Sequence, residues 1–68
     1  ERLANAIILQ AVTDYRAALK RIRRSPKNQD AIYEALRIER FFRSAWYSQL
    51  TSVDGEYLIR RLRDEVKR

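Results

Sequence analysis

The densest group of chemically active side chains is a run of cations in the first half of the chain. Residues 20–27 read KRIRRSPK, five basic residues without an acid among them. Such clusters bind phosphate oxygens, and the planar fork of arginine suits that task better than lysine. A helix C-terminus that carries cations for solubility and to offset its dipole has the same pattern, and the sequence leaves both interpretations open.

The phosphate-binding interpretation predicts a nucleic-acid surface that Arg37 and Arg40 extend if the second helix folds back alongside the first. A second basic group lies near the C-terminus, where Asp64 and Glu65 dilute its charge. The predicted nucleic-acid-binding residues are Lys20, Arg21, Arg23, Arg24, Lys27, Arg37 and Arg40.

Enzyme chemistry is not expected. The chain has no cysteine, no histidine and a single glycine. It therefore lacks the residues for a thiolate nucleophile, a histidine base, a common zinc site or a glycine-rich phosphate loop. Its acids do not bunch as calcium or magnesium ligands do. We predict a non-enzymatic protein with no catalytic residue, metal or cofactor.

Aromatic and charged residues interleave in the middle of the chain, where residues 39–47 read ERFFRSAWY. On a single helical wheel with Leu36 taken as zero, Phe42 and Trp46 fall on the apolar side, which favours core packing over stacking on bases. Tyr33 falls opposite, facing solvent. Phe41 and Tyr47 fall on the two borders between these sides.

Glu39 and Arg43 also fall on the apolar side, four residues apart with the acid first. That order favours an intrahelical ion pair at the edge of the core. A carboxylate kept for a partner is the alternative, and Asp14 joins the pair if the first two helices are antiparallel. The structural role is the stronger interpretation, because a lone carboxylate makes a poor catalytic site.

The elements that position these residues are all helical. No alternation of apolar and polar residues indicates a strand, while good helix formers dominate. The pattern predicts a compact three-helix bundle with helices near 3–24, 28–50 and 52–67, the second one open to a break near residue 44. A chain of 68 residues makes one domain, spanning 1–68. So short a chain buries only about 60% of its unfolded surface, which leaves a homodimer open.

Four residues set the predicted boundaries. Pro26 ends the first helix, since it biases Ser25 away from helical geometry, and Asn28 caps the second. The third follows Thr51–Asp54, the spacing of a capping box. Gly55 lies on the apolar side, so we predict a close approach there. The apolar side of the first helix is predicted to comprise Ala4, Ile7, Ile8, Ala11, Val12, Tyr15, Ala18, Leu19 and Ile22.

Three segments carry a resemblance to a known group. They are AIILQAVTDYRAAL from residue 6, FFRSAWY from residue 41 and DGEYLI from residue 54. With them the chain resembles small proteins encoded in prophages and mobile elements of Gram-positive gut bacteria, over nearly its whole length. That group has no established activity, so no functional residues follow from it. The resemblance implies a phage or mobile-element context, in which small helical proteins often bind nucleic acid or a host protein.

The sequence is consistent with two functions. The first is a non-enzymatic protein that binds DNA or RNA phosphates without strong sequence preference, which the net charge of +6 favours. The second is a module that docks on a host or phage protein through Leu9, Phe41 and Tyr47. No apolar run approaches the roughly 20 residues of a membrane span, so we expect no membrane partner. With the bacterial host that the resemblance implies, we expect a cytoplasmic location in a bacterial host cell.

Overall fold

The computed structural model describes residues 2–67 and confirms the all-α class. Its helices are α1 (Arg2–Arg24), α2 (Gln29–Phe42), α3 (Ala45–Leu50) and α4 (Gly55–Lys67). Residues 2–67 contain no strand. The structure therefore has four helices where the pattern predicted three, since the second predicted helix is divided into α2 and α3.

The three longer helices run up, down and up. A four-residue turn joins α1 to α2, and Asn28 caps α2 as predicted, its side-chain oxygen accepting from the Ala31 amide at 3.1 Å. The end of α2 meets the start of α4, where Gly55 contacts the Phe42 carbonyl. The ends of α1 and α4 meet in turn, since Arg23 donates to the Val66 carbonyl. Helices α1 and α4 are thus parallel to each other and antiparallel to α2.

The core lies where these three helices face each other, and its largest fully buried side chains include Tyr15 and Phe42. Their rings meet edge to face, with centroids 5.8 Å apart. The predicted apolar side of α1 is confirmed, because none of its nine residues is exposed. The buried cluster comprises Tyr15, Ala18, Ala35, Ile38, Phe42, Tyr47, Ile59 and Leu62.

The chain breaks at Arg43 and Ser44, which confirms the break near residue 44 and overturns part of the predicted core. Ser44 adopts an extended conformation and caps α3, its hydroxyl accepting from the Tyr47 amide at 3.1 Å. The break rotates the side chains that follow it. Trp46, predicted in the core, is 56% exposed, while Tyr47, predicted on a border, is only 2% exposed.

The helical wheel also placed Leu36 with the apolar residues, whereas in the structure Leu36 is 57% exposed. The helical wheel treated residues 28–50 as one straight helix. Including Trp46 and Leu50 shifted the centre of the predicted apolar side toward Leu36. Because α2 ends at Phe42, the centre of its buried side, viewed around the helix axis, lies near Ala35 and Phe42 instead. One misplaced helix end thus accounts for both errors.

Helix α4 begins three residues later than predicted. Thr51 accepts from the Val53 amide at 3.2 Å instead of capping the helix, and this local bond closes a turn. Asp54 is the capping residue, accepting from the Glu56 amide at 3.2 Å. The close approach predicted at Gly55 is confirmed, since a Cβ added there would lie 2.0 Å from the Phe42 carbonyl oxygen.

Candidate nucleic-acid interface

The C-terminal ends of α1 and α4 converge on one end of the molecule. Arg23 in the last turn of α1 donates from Nη1 to the backbone carbonyl of Val66 at 2.6 Å. That carbonyl lies in the last turn of α4, where carbonyls lack partners within the helix. The bond therefore joins the two helix ends and holds the Arg23 guanidinium in place.

This convergence collects cations from both helices into a surface that we call the basic end, defined by Lys20, Arg23, Arg24, Arg63 and Lys67. All five residues are exposed. Arg23 and Val66 form a wall shared by two clefts, of about 360 Å³ and about 460 Å³. The first is lined by Leu19, Ile22, Arg23, Arg63, Val66 and Lys67, and the second by Lys20, Arg23, Arg24, Glu65 and Val66.

The sequence indicated both basic groups but not that they meet. The C-terminal group was predicted as a separate, diluted patch, because residues about 40 positions apart have no helical periodicity in common. The one available signal was indirect. A turn after α1 and a second reversal before α4 make α1 and α4 parallel, which brings their C-terminal turns to the same end.

The charge balance at the basic end is positive. Two helix C-termini contribute about half a negative charge each, and the carboxylates of Glu39, Asp64 and Glu65 contribute one each, of which that of Glu65 is offset by Arg16 at 2.9 Å. Against five cations, a surplus of about two positive charges remains. The need to offset the two helix dipoles therefore does not explain all five cations.

Arg63 is tied into the core through Glu39, which is 4% exposed. Its Nη2 donates to Glu39 Oε2 at 2.7 Å, and its Nε donates to the Tyr15 hydroxyl at 3.2 Å. The hydrogen bond to Glu39 is the main cause that raises the pKa of Arg63. Burial raises the pKa of Tyr15 to about 12, and the hydrogen bond to Glu39 adds to that shift. Arg63 thus belongs to a packed polar network, with half of its side chain left exposed.

The predicted pair of Glu39 and Arg43 is present but looser than expected. Arg43 Nη1 lies 3.6 Å from Glu39 Oε1, whereas its Nε donates to Glu56 at closer range. That bond lowers the pKa of Glu56 and raises that of Arg43. Asp14 does not join the network as suggested, and accepts from Gln10 at 3.0 Å. Tyr15 takes its place beside Glu39.

Four predicted phosphate ligands are not among the five residues of the basic end. Arg21 lines a groove between α1 and α2 with Asp14, Asp30, Tyr33 and Glu34. Three acids therefore surround it.

Farther along α2, Arg37 donates to Glu34 at 2.6 Å, which raises the pKa of Arg37. Arg40 is exposed on the same helix, and Lys27 is exposed in the turn between α1 and α2. Of these four, Arg21 and Lys27 lie at the end of the molecule where α1 stops, whereas Arg37 and Arg40 lie farther along α2.

The predicted docking residues have three different environments. Leu9 is 64% exposed, as expected. Phe41 is half-buried in a cluster of rings, with its centroid 5.4 Å from that of Trp46 and 5.6 Å from that of Tyr47. Tyr47 itself is buried, so its predicted role as a surface anchor is wrong. The break at Ser44 turned it inward and turned Trp46 outward.

The acidic side chains within residues 2–67 are too scattered for a metal site, since no group of three or more of them could hold an ion. Over the same residues, none of the helices is both long enough and apolar enough for a membrane span.

Comparisons of the chain with protein-family models, curated proteins and solved structures found no significant match. The resemblance to proteins of prophages and mobile elements therefore stays a prediction.

Proposed function

We propose that this protein binds nucleic-acid phosphates, without catalysis and without strong sequence preference, through the basic end. The observation that carries the proposal is the convergence of α1 and α4, which concentrates five cations with a surplus of about two positive charges. Phosphate contacts of this kind dominate the affinity of most proteins for nucleic acid. Lys27, in the adjacent turn, extends the surface.

The chemistry of the basic end favours contacts to the backbone over reading of base edges. Arginine and lysine side chains position a protein on phosphates, whereas asparagine and glutamine amides are needed to recognise adenine. None of the five residues that define the basic end is an asparagine or a glutamine. Low sequence preference follows from this composition.

Two charge-matched triple variants test the proposal. The first replaces Lys20, Arg24 and Lys67 by glutamine, all of them exposed and without an ion pair inside residues 2–67. The second replaces Arg21, Arg37 and Arg40 by glutamine, which removes the same net charge from the α1–α2 groove and from α2. Fluorescence anisotropy with a labelled oligonucleotide over a salt series gives the affinity and its salt dependence.

The first variant should bind more weakly, and its slope of log affinity against log salt should fall by about 0.7–0.9 for each phosphate that the variant no longer neutralises. The second should be weakened much less. Equal weakening of both variants would indicate diffuse attraction without a site. Absence of binding by the parent protein at low salt would exclude the function.

A partner protein is the second candidate, and the exposure of Trp46 favours it. This side chain is the only tryptophan of the chain, and it packs edge to face on the half-buried Phe41. Exposed tryptophans with a fixed orientation are common anchors of protein interfaces. Binding of that kind would respond weakly to salt and would be abolished in Trp46→Ala, while the glutamine variants of the basic end would retain it.

A further inference from the structure

The cleft of about 360 Å³ at the basic end has an apolar floor under a cationic rim. Leu19, Ile22 and Val66 supply the floor, and all three are half-buried. Arg23, Arg63 and Lys67 supply the rim, and no acid lines the cleft. Its volume falls in the range of about 300–1,000 Å³ that is typical of small-molecule sites.

We infer that this cleft takes one unpaired base of a single-stranded nucleic acid, whose flanking phosphates contact the rim. The inference rests on the proposed function and adds its substrate class. A nucleotide matches the cleft in both respects, since it joins a flat, largely apolar ring to an anionic phosphate.

Two structural features support a base over a bare phosphate. The Arg23 guanidinium is held by the Val66 carbonyl at 2.6 Å, and a planar group fixed in this way can stack on a base as well as contact a phosphate. The wall of Arg23 and Val66 also separates the first cleft from the second, where Lys20 and Arg24 lie. A single-stranded nucleic acid that crosses this wall would place its next phosphate near Lys20 and Arg24.

Duplex DNA fits the cleft less well. A base must leave its pair and its stack before it can enter, which is costly in a duplex and costs little in a single strand. Single strands should therefore bind more tightly than a duplex of the same length, although the duplex carries more charge.

Three probes of about eight nucleotides, the size range of single-strand sites, separate the base from the phosphates. They are a thymidine oligonucleotide, an abasic oligonucleotide with the same backbone, and a duplex, each measured by fluorescence anisotropy. Stacking on the Arg23 guanidinium and burial against the apolar floor both favour the base, so the thymidine probe should bind about fivefold more tightly than the abasic probe.

A matched pair of substitutions locates the base. Val66→Thr makes the floor of the cleft more polar at nearly constant size, and Val53→Thr makes the same change in the exposed turn before α4, at the opposite end. We expect Val66→Thr to reduce the preference for thymidine over abasic probe, with duplex binding unchanged. Val53→Thr should preserve the preference, and thermal melts establish that both variants fold.

The possible failures are distinguishable. Equal binding of the thymidine and abasic probes would overturn the inference and leave the proposed function standing. No binding of any probe would overturn both. A base preference that survives Val66→Thr would place the base elsewhere and overturn the inference. A leucine-containing acidic peptide that binds in a Val66-dependent manner, where the thymidine probe does not, would assign the cleft to a protein partner instead.

Discussion

The Tyr15 hydroxyl donates a hydrogen bond of 2.5 Å to Oε2 of Glu39, a residue 24 positions away on the facing helix. Arg63 of α4 donates to both of these groups. One carboxylate thus joins all three long helices in the middle of the bundle. Because a buried carboxylate is costly unless it is paired and hydrogen-bonded, this arrangement disfavours any packing that separates the three residues.

Glu39→Gln should destabilise the fold by about 1–3 kcal/mol, because it leaves the buried Tyr15 and the Arg63 guanidinium with a poorer acceptor. Urea unfolding measures the change. Glu34→Gln serves as the control, since Glu34 is half-buried on the same helix and pairs with the exposed Arg37, and it should change little. Double-mutant cycles should give Glu39 a stronger coupling to Arg63 than to Arg43, which lies farther away and bonds to Glu56. The reverse order would contradict the geometry.

The contribution of Tyr15 to the free energy of unfolding should decrease at alkaline pH. The folded state raises the pKa of its hydroxyl from 10.0 to about 12, so the unfolded state loses this proton first. The contribution is therefore fully present below pH 10 and is lost as the pH rises through 12. The difference in unfolding free energy between the parent and Tyr15→Phe should narrow over that interval. A constant difference would mean that the pKa is not raised.

Phe42→Ala should be far more damaging than Trp46→Ala. Phe42 is fully buried against Tyr15 and Tyr47, and truncation of such a ring costs about 3–5 kcal/mol. Trp46 keeps most of its solvent exposure, so its removal should cost well under half as much, and Tyr33→Ala should cost little. Thermal melts rank the three variants. Quenching of Trp46 fluorescence by acrylamide gives an independent check, and weak quenching would contradict its exposure.

Gly55→Ala should destabilise the protein although alanine is the better helix former. The substitution gains up to about 1 kcal/mol of helix propensity. Against that, its Cβ would lie 2.0 Å from the backbone oxygen of Phe42, and overpacking of this kind costs about 1–3 kcal/mol or more. Ser52→Ala, in the preceding turn, should be nearly neutral. A more stable Gly55→Ala variant would mean that α2 and α4 do not approach so closely.

Local sequence determined the features that depend on neighbouring residues. The sequence predicted the apolar spacing on α1, the cap at Asn28, the close approach at Gly55 and the basic run at residues 20–27, because each depends on residues within one or two helical turns. The all-α class follows from the same periodicity. A break near Ser44 was also foreseen, but its consequence for Trp46 and Tyr47 was not.

The tertiary structure decided which distant residues meet. Whether Trp46 or Tyr47 is buried depends on the angle between α2 and α3, which helical periodicity does not contain. Glu39 selects Tyr15 and Arg63 over Arg43 because packing brings two other helices to it. The basic end likewise requires α1 and α4 to be parallel, so that cations about 40 positions apart share one surface. Chain reversals and interhelical packing set these distances, and neither is encoded in the spacing of residues along a single helix.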